Sequence, residues 1–131
     1  MRLESWLPSA PASAHEARAL VRDAACRLRL DGSTTWDLML ATTEAVANAI
    51  EHGQPCDPKG IFIRVEAAGD TFEVEVQDCG GCFAREGRSW KPDQLGGRGM
   101  PLIAAVMDRL EVLPSTGTTR VRFEKRLAAA V

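Results

Sequence analysis

Glu44 and Asn48 are of types, and at a spacing, that could do chemistry together. Four residues apart on a helix, they share one face about one turn apart. Ala45, Val46, Ala49 and Ile50 supply apolar contacts around them. A carboxylate and a carboxamide on so apolar a helix are costly to bury without partners. The carboxylate can take a proton from a hydroxyl, and the carboxamide offers a neutral oxygen to a hard cation such as Mg2+. A polar pair at this spacing is also common on a solvated face, so the stretch alone leaves both readings open.

Two later stretches bear on it. In Val76-Gln77-Asp78-Cys79-Gly80-Gly81 a carboxylate leaves an alternating strand and is followed by glycines. A carboxylate there can accept from an exocyclic amino group, as adenine presents. In Leu95-Gly96-Gly97-Arg98-Gly99-Met100 glycines open a helix. Such a turn exposes backbone N–H groups at a helix N-terminus, an anion site, and Arg98 adds a charge-assisted donor. Each feature alone is more often an ordinary turn. Together, in this order, they supply base recognition, a phosphate cradle, a metal ligand and a general base.

The elements that must position these residues follow from periodicity. Residues 2–7 alternate and stop at Pro8, a short edge strand. Over 11–30, Ala14, Ala17, Leu20, Val21, Ala24, Ala25 and Leu28 recur at helical spacing, and Asp31-Gly32 ends that helix. Ser33 or Thr34 is the expected cap of a second helix, which runs to about His52 and stops at Gly53. Ile61, Ile63 and Val65, then Phe72, Val74 and Val76, alternate with mostly polar residues around a Gly69-Asp70 turn. That pattern is a hairpin with one buried face, and Phe62 is its apolar exception. Residues 79–97 lack apolar periodicity, as functional loops do. A third helix over 99–108 and strands near 110–113 and from 119 complete the order. Helices then lie against one face of a mixed, mostly antiparallel sheet, an α+β two-layer sandwich.

With 131 residues, 26% charged and 45% hydrophobic, the chain reads as one globular domain spanning 1–131. A net charge of -2, from 16 basic and 18 acidic residues, gives no electrostatic case for non-specific nucleic acid or acidic-lipid binding. There is no run long enough for a membrane span and no signal-peptide core, so a cytoplasmic protein is expected. In that compartment Cys26, Cys56, Cys79 and Cys82 are expected to be free thiols.

At this point the sequence resembles the histidine-kinase-like (GHKL) ATPase superfamily, and within it the short anti-sigma-factor serine/threonine kinases. The resemblance rests on the N-box-like Glu44-Ala45-Val46-Ala47-Asn48-Ala49-Ile50-Glu51-His52-Gly53, the G1-like Asp78-Cys79-Gly80, the G2-like Gly97-Arg98-Gly99-Met100-Pro101-Leu102 and the closing Gly117-Thr118-Thr119. It implies the two-layer Bergerat-type fold, ATP and Mg2+ as cofactors, and residues 83–96 as the ATP lid. It implies Asn48 as the Mg2+ ligand and Glu44 as the base that activates a Ser or Thr hydroxyl on a partner. Asp78 would bind the adenine amino group, with Gly80 letting the base approach. Gly97, Arg98, Gly99 and Met100 would close over the phosphates, Arg98 with a catalytic role, and Thr118 or Thr119 would add a contact near the adenine. The implied partners are a STAS-domain anti-anti-sigma factor and a sigma factor, regulated by partner switching, with a homodimer also open.

The sequence departs from the family at Cys82, where Asp-x-Gly-x-Gly usually has its second glycine. A side chain there can crowd the lid hinge, although Gly81 adds freedom beside it. The alternative is a nucleotide-gated protein-binding module with little or no kinase activity. A lid arginine that reaches the terminal phosphate could be Arg98, Arg85 or Arg88. Cys79 and Cys82 with His52 and Cys56 form a permissive zinc set, weighed against chance placement of four cysteines. His52 also suits the last turn of a helix as a cation. Trp6, Trp36 and Trp90 read as packing or interface residues. The catalytic half of a two-component histidine kinase is the remaining reading, disfavoured because no phosphoacceptor helices accompany the motifs.

Overall fold

The computed structural model describes residues 1–80 and 99–127. The lid stretch 83–96, with Arg85, Arg88 and Trp90, and Gly81, Cys82, Gly97 and Arg98 lie outside the described residues. The element order is β1 (Arg2–Leu7), α1 (Ser13–Arg27), α2 (Gly32–His52), β2 (Ile61–Ala68), β3 (Thr71–Asp78), α3 (Gly99–Val106), β4 (Arg109–Ser115) and β5 (Thr118–Arg126).

The alternation over 61–77 builds the centre of the sheet. β2 and β3 pair from Phe62↔Gln77 to Ala68↔Thr71, closed by the two-residue turn at Gly69-Asp70. Ile61, Ile63, Val65, Phe72, Val74 and Val76 are all buried on one face. The sheet order is β1-β2-β3-β5-β4, and every pairing among the described residues is antiparallel. β4 does run parallel to β3, since both are antiparallel to β5, but β5 lies between them. No adjacent parallel pair results. The topology also brings the ends of β1 and β3 and the start of β5 to the same end of the sheet.

Three helices cover the buried face. Ala17, Val21 and Ala24 of α1 and Leu38, Ala41, Ala45, Val46 and Ala49 of α2 join the strand residues in one core, with Ile103 of α3. Burying a side chain such as Leu38 stabilises the fold by about 1.5–3 kcal/mol. The alanines let α1 and α2 lie close, and Thr42 and Thr43 satisfy their hydroxyls on the carbonyls of Leu38 and Met39. Lys125 Nζ donates to the Val106 carbonyl at 2.7 Å and to Asp37 Oδ2 at 3.2 Å. It thereby ties β5 to α2 and to the C-terminal end of α3, where a cation is favoured.

The helix boundaries differ from expectation. α1 occupies Ser13–Arg27 within the predicted 11–30, and Arg29 at φ 55 turns the chain. The cap of α2 is Asp31, not Ser33 or Thr34: its carboxylate accepts from the Thr34 N–H at 2.6 Å. A hydrogen bond from the Thr34 side chain, and then this backbone bond, hold the Asp31 carboxyl below its ordinary value. Asp31 therefore starts the second helix and does not merely end the first.

The other face of the sheet carries no helix among the described residues. Glu4, Arg64, Glu75, Arg122 and Glu111 form one cross-strand row of alternating charge. Glu75 is only 3% exposed, and Arg122 Nη2 meets it at 3.0 Å. That bond pushes the Arg122 guanidinium above its ordinary value. Arg64 reaches Glu73 at 2.7 Å and Glu75 at 3.7 Å. Phe62, the apolar exception in the pattern, packs against Trp6 with ring centroids 5.1 Å apart, under the Lys59 ammonium. Trp36 remains 67% exposed. Among the described residues no helix is long and apolar enough to cross a membrane.

Candidate functional site

The strand ends converge on Asp78, the last residue of β3. Its register partner is Thr119, second in β5, and both are buried, at 6% and 4% exposure. The chain leaving α2 wraps around the Asp78 carboxylate. Gly80 N–H donates to Oδ1 at 2.7 Å, and the Gln54 N–H also bonds the carboxylate. The Cys79 N–H in turn donates to the Gln54 carbonyl at 2.8 Å. Burial pushes the Asp78 carboxyl above its ordinary value of 3.8, and the two N–H donors only partly oppose that.

Two glycines make this approach feasible. A Cβ on Gly53 would lie 2.5 Å from Asp78 Cγ and 2.6 Å from the Ala49 carbonyl oxygen. A Cβ on Gly80 would lie 2.9 Å from Asp78 Oδ1. Gly53 reads in the sequence as a helix stop; in the structure it is also part of the carboxylate's seat. Gln54 takes part through backbone alone, so its residue type carries no signal. The position of Gly53 at the close of the N-box-like run was the one available hint.

α2 puts Glu44 and Asn48 on one face, both half-buried. Glu44 makes no hydrogen bond or ion pair with another described residue. Asn48 Nδ2 is buried and has no hydrogen-bond partner among the described residues, and neither has Thr119 Oγ1. Orphaned polar atoms of this kind are rare in folded proteins, and each needs a partner such as a ligand, an ordered water or a residue beyond the described ones. Turning the Asn48 carboxamide about χ2 presents its oxygen in the same place, as Mg2+ would require. An amino group offered to Asp78 and a polar edge offered to Thr119 suit an adenine. The donor set thus fits Mg-ATP. Thr118 lies beside Thr119, half-buried. Gly99 opens α3, while the Met100 side chain is 1% exposed within the core, leaving only its backbone to face a ligand.

The cysteines correct the sequence reading. Cys56 and Cys79 form a disulfide, with Cα atoms 5.1 Å apart across 23 residues of sequence, where free thiols are expected. The cause is the return of segment 53–60 onto the end of β3. Cys26 is free and exposed. The disulfide also removes two ligands from the zinc set of His52, Cys56, Cys79 and Cys82. Among the described residues no cluster could hold a metal ion through His, Cys, Asp or Glu.

The sequence profile described as a histidine kinase-like ATPase domain matches residues 7–125. The chain belongs to this family. Among related proteins, the ATPase domain is 30% identical over 129 residues to the serine-protein kinase RsbW of Bacillus subtilis, covering 89% of this chain and 81% of that protein. It is 29% identical over 129 residues, with the same coverage, to the serine-protein kinase RsbW of Bacillus velezensis. The crystal structure of the RsbU and RsbW domains of a Mycobacterium tuberculosis protein superposes with a TM-score of 0.77 at 25% identity. That match covers 100% of this chain and 34% of the longer one. The two-layer fold and the family expected from Glu44–Gly53, Asp78–Gly80 and Gly117–Thr119 both hold.

Proposed function

We propose that this ATPase domain is a cytoplasmic, Mg-ATP-dependent protein serine/threonine kinase of the anti-sigma-factor type. Its substrate is a hydroxyl on a STAS-domain antagonist, and phosphorylation of that antagonist controls the release of a sigma factor. The observation that carries this reading is the orphaned Asn48 Nδ2 one helical turn from Glu44, on a family fold whose buried Asp78 has no cation beside it among the described residues. Likeness to proteins named serine-protein kinase supports the reaction type.

The residues divide the work. Asp78 and Thr119, with Thr118, hold the adenine, and Gly53 and Gly80 give the base room to approach. Asn48 holds Mg2+, which when bound neutralises phosphate charge and favours in-line transfer. Glu44 accepts the proton of the incoming Ser or Thr hydroxyl. Gly97, Arg98 and Gly99 close over the phosphates, with Arg98 the candidate for contact with the transferred group.

Incubation with labelled ATP and a STAS-domain substrate tests this. Transfer of label to a Ser or Thr, lost in Glu44→Ala while nucleotide binding persists, supports it. Nucleotide binding without transfer in the wild type removes the kinase and leaves a nucleotide-gated binding module. Cys82, at a position where the family usually has glycine, is the observation that favours this second reading.

A further inference from the structure

The Cys56–Cys79 pair sits where a covalent change would be felt by the nucleotide seat. Cys79 lies between Asp78 and Gly80, the two residues joined by the 2.7 Å bond to the carboxylate. Cys56 lies on the segment that supplies Gln54. Gln54 is held on both sides: its N–H bonds Asp78, and its carbonyl accepts from Cys79 at 2.8 Å. Beyond Cys56 the chain closes on itself. Cys56 N–H donates to the Gly60 carbonyl at 2.7 Å, and Gly60 N–H returns to the Cys56 carbonyl at 3.0 Å.

The disulfide therefore fastens a self-closed turn to the end of β3. Without it, segment 53–56 is held to residues 78–80 chiefly by backbone hydrogen bonds that water can replace. Both cysteines are partly exposed, so a dithiol can reach them. A disulfide in a cytoplasmic protein is usually a transient or sensing one.

We infer that Cys56 and Cys79 form a reversible thiol–disulfide site that sets nucleotide affinity by fastening or releasing the backbone around Asp78. This rests on the proposed cytoplasmic, nucleotide-binding reading of the same site. In the reducing direction, a thiolate of a dithiol attacks one of the two sulfurs. The Cys56–Cys79 bond breaks, a mixed disulfide forms, and the other cysteine leaves as a thiolate and takes a proton. The second thiol of the reductant resolves the mixed disulfide. Two electrons pass to the protein, which gains two thiols, and the reductant becomes a disulfide. A disulfide oxidant such as oxidised glutathione reverses the exchange, accepting the two electrons and leaving as two thiols. The fastened form has its Asp78 seat pre-organised and binds nucleotide more tightly.

The test uses the full chain, equilibrated with oxidised glutathione or with dithiothreitol. Thiols are blocked by alkylation and the peptides mapped by mass spectrometry. A linked Cys56–Cys79 peptide in the oxidised sample, absent after reduction, is expected; linkage of Cys79 to Cys82, or no linkage, overturns the assignment. A fluorescent ADP analogue with Mg2+ is then titrated into both forms, with circular dichroism confirming that both remain folded. The oxidised form is expected to bind about fivefold more tightly or better, within the range of ordinary site coupling. Equal affinity overturns the latch while sparing the nucleotide reading; no binding in either form defeats that reading and the latch with it. By reciprocity, saturating nucleotide makes the disulfide harder to reduce by the same factor. Cys56→Ser is expected to bind at the reduced-form affinity and to ignore dithiothreitol, and a retained response overturns the proposal. Should that variant not fold, reduction of the wild type supplies the same two states.

Discussion

On the open face of the sheet, Glu75 is 3% exposed and is met by Arg122 at 3.0 Å and Arg64 at 3.7 Å. At the strand ends, Asp78 is nearly as buried, yet no cation meets it among the described residues. Asn48 Nδ2 and Thr119 Oγ1 likewise have no hydrogen-bond partner among the described residues. The open face has one atom in that state, Arg64 Nε, which still lies 3.6 Å from Glu66. Both regions pay desolvation for burying polar groups; at Glu75 charged partners recover it, while at Asp78 the two backbone N–H donors recover it only in part among the described residues. Self-paired charge of the Glu75 kind holds strands together. A carboxylate with two N–H donors but no cation among the described residues, kept in place by Gly53, Gly80 and Gln54, is poised for something from outside.

The contrast makes opposite demands on variants: the strand-end residues should govern ligand chemistry and the open-face residues stability. The largest effect is expected at Glu44. Glu44→Ala should lower phosphotransfer by about a hundredfold to ten-thousandfold, the usual range for loss of a general base, while Mg-nucleotide affinity stays within about twofold. Single-turnover transfer and equilibrium titration separate the two; retained transfer removes Glu44 as base.

Asp78→Asn sharpens the comparison, because it should damage binding without damaging the fold. The variant loses its acceptor for the adenine amino group, and affinity should fall about tenfold or more. The ligand-free protein should gain or keep stability at neutral pH. Burial raises the folded-state value of Asp78 above 3.8, so the folded state favours its protonated form. Its contribution to stability is fully present below 3.8 and is lost as pH rises through the raised folded value. Denaturant titrations from pH 3 to pH 7 should show that loss in the wild type and not in Asp78→Asn. A variant clearly less stable at pH 7 would make Asp78 structural and dissolve the contrast.

Glu75→Ala should do the reverse. It removes the carboxylate that Arg64 and Arg122 share and leaves both on Glu73, and since both guanidinium groups also keep some solvent, a loss of about 1–3 kcal/mol is expected. Nucleotide affinity should be unchanged. The smallest effect belongs to Thr119→Val, which keeps the shape and removes the orphaned hydroxyl. Stability without ligand should rise by up to about 1 kcal/mol, as a buried unsatisfied group disappears, and affinity should drop only a few-fold. A fall in stability there would mean the hydroxyl already has a partner.

Much of the fold was legible because its signals are local. Alternation over 61–77 and helical spacing across α1 and α2 follow from side-chain directions that repeat along a chain. The cap of α2 was misread because Asp31, Ser33 and Thr34 are all good capping types, and only backbone geometry selects among them. For the site, Glu44, Asn48, Asp78 and Thr119 were legible as types in an order. Gly53 reads as a helix stop and Gln54 carries no signal, since close approach and backbone donation leave no mark on residue type. The free-thiol expectation came from compartment, which says nothing about how segment 53–60 folds back.

Sequence alone names the family, the elements that hold the site and the residues that are its candidates. Periodicity and motif order are properties of neighbours along the chain. Only the packing of distant segments decides that every pairing among the described residues is antiparallel, that Cys56 meets Cys79, that Gly53 cradles Asp78, and that Asn48 Nδ2 and Thr119 Oγ1 have no partner among the described residues where Glu75 has two. Those outcomes depend on which groups, far apart in sequence, share a buried space, and the low dielectric there makes each pairing or its absence matter.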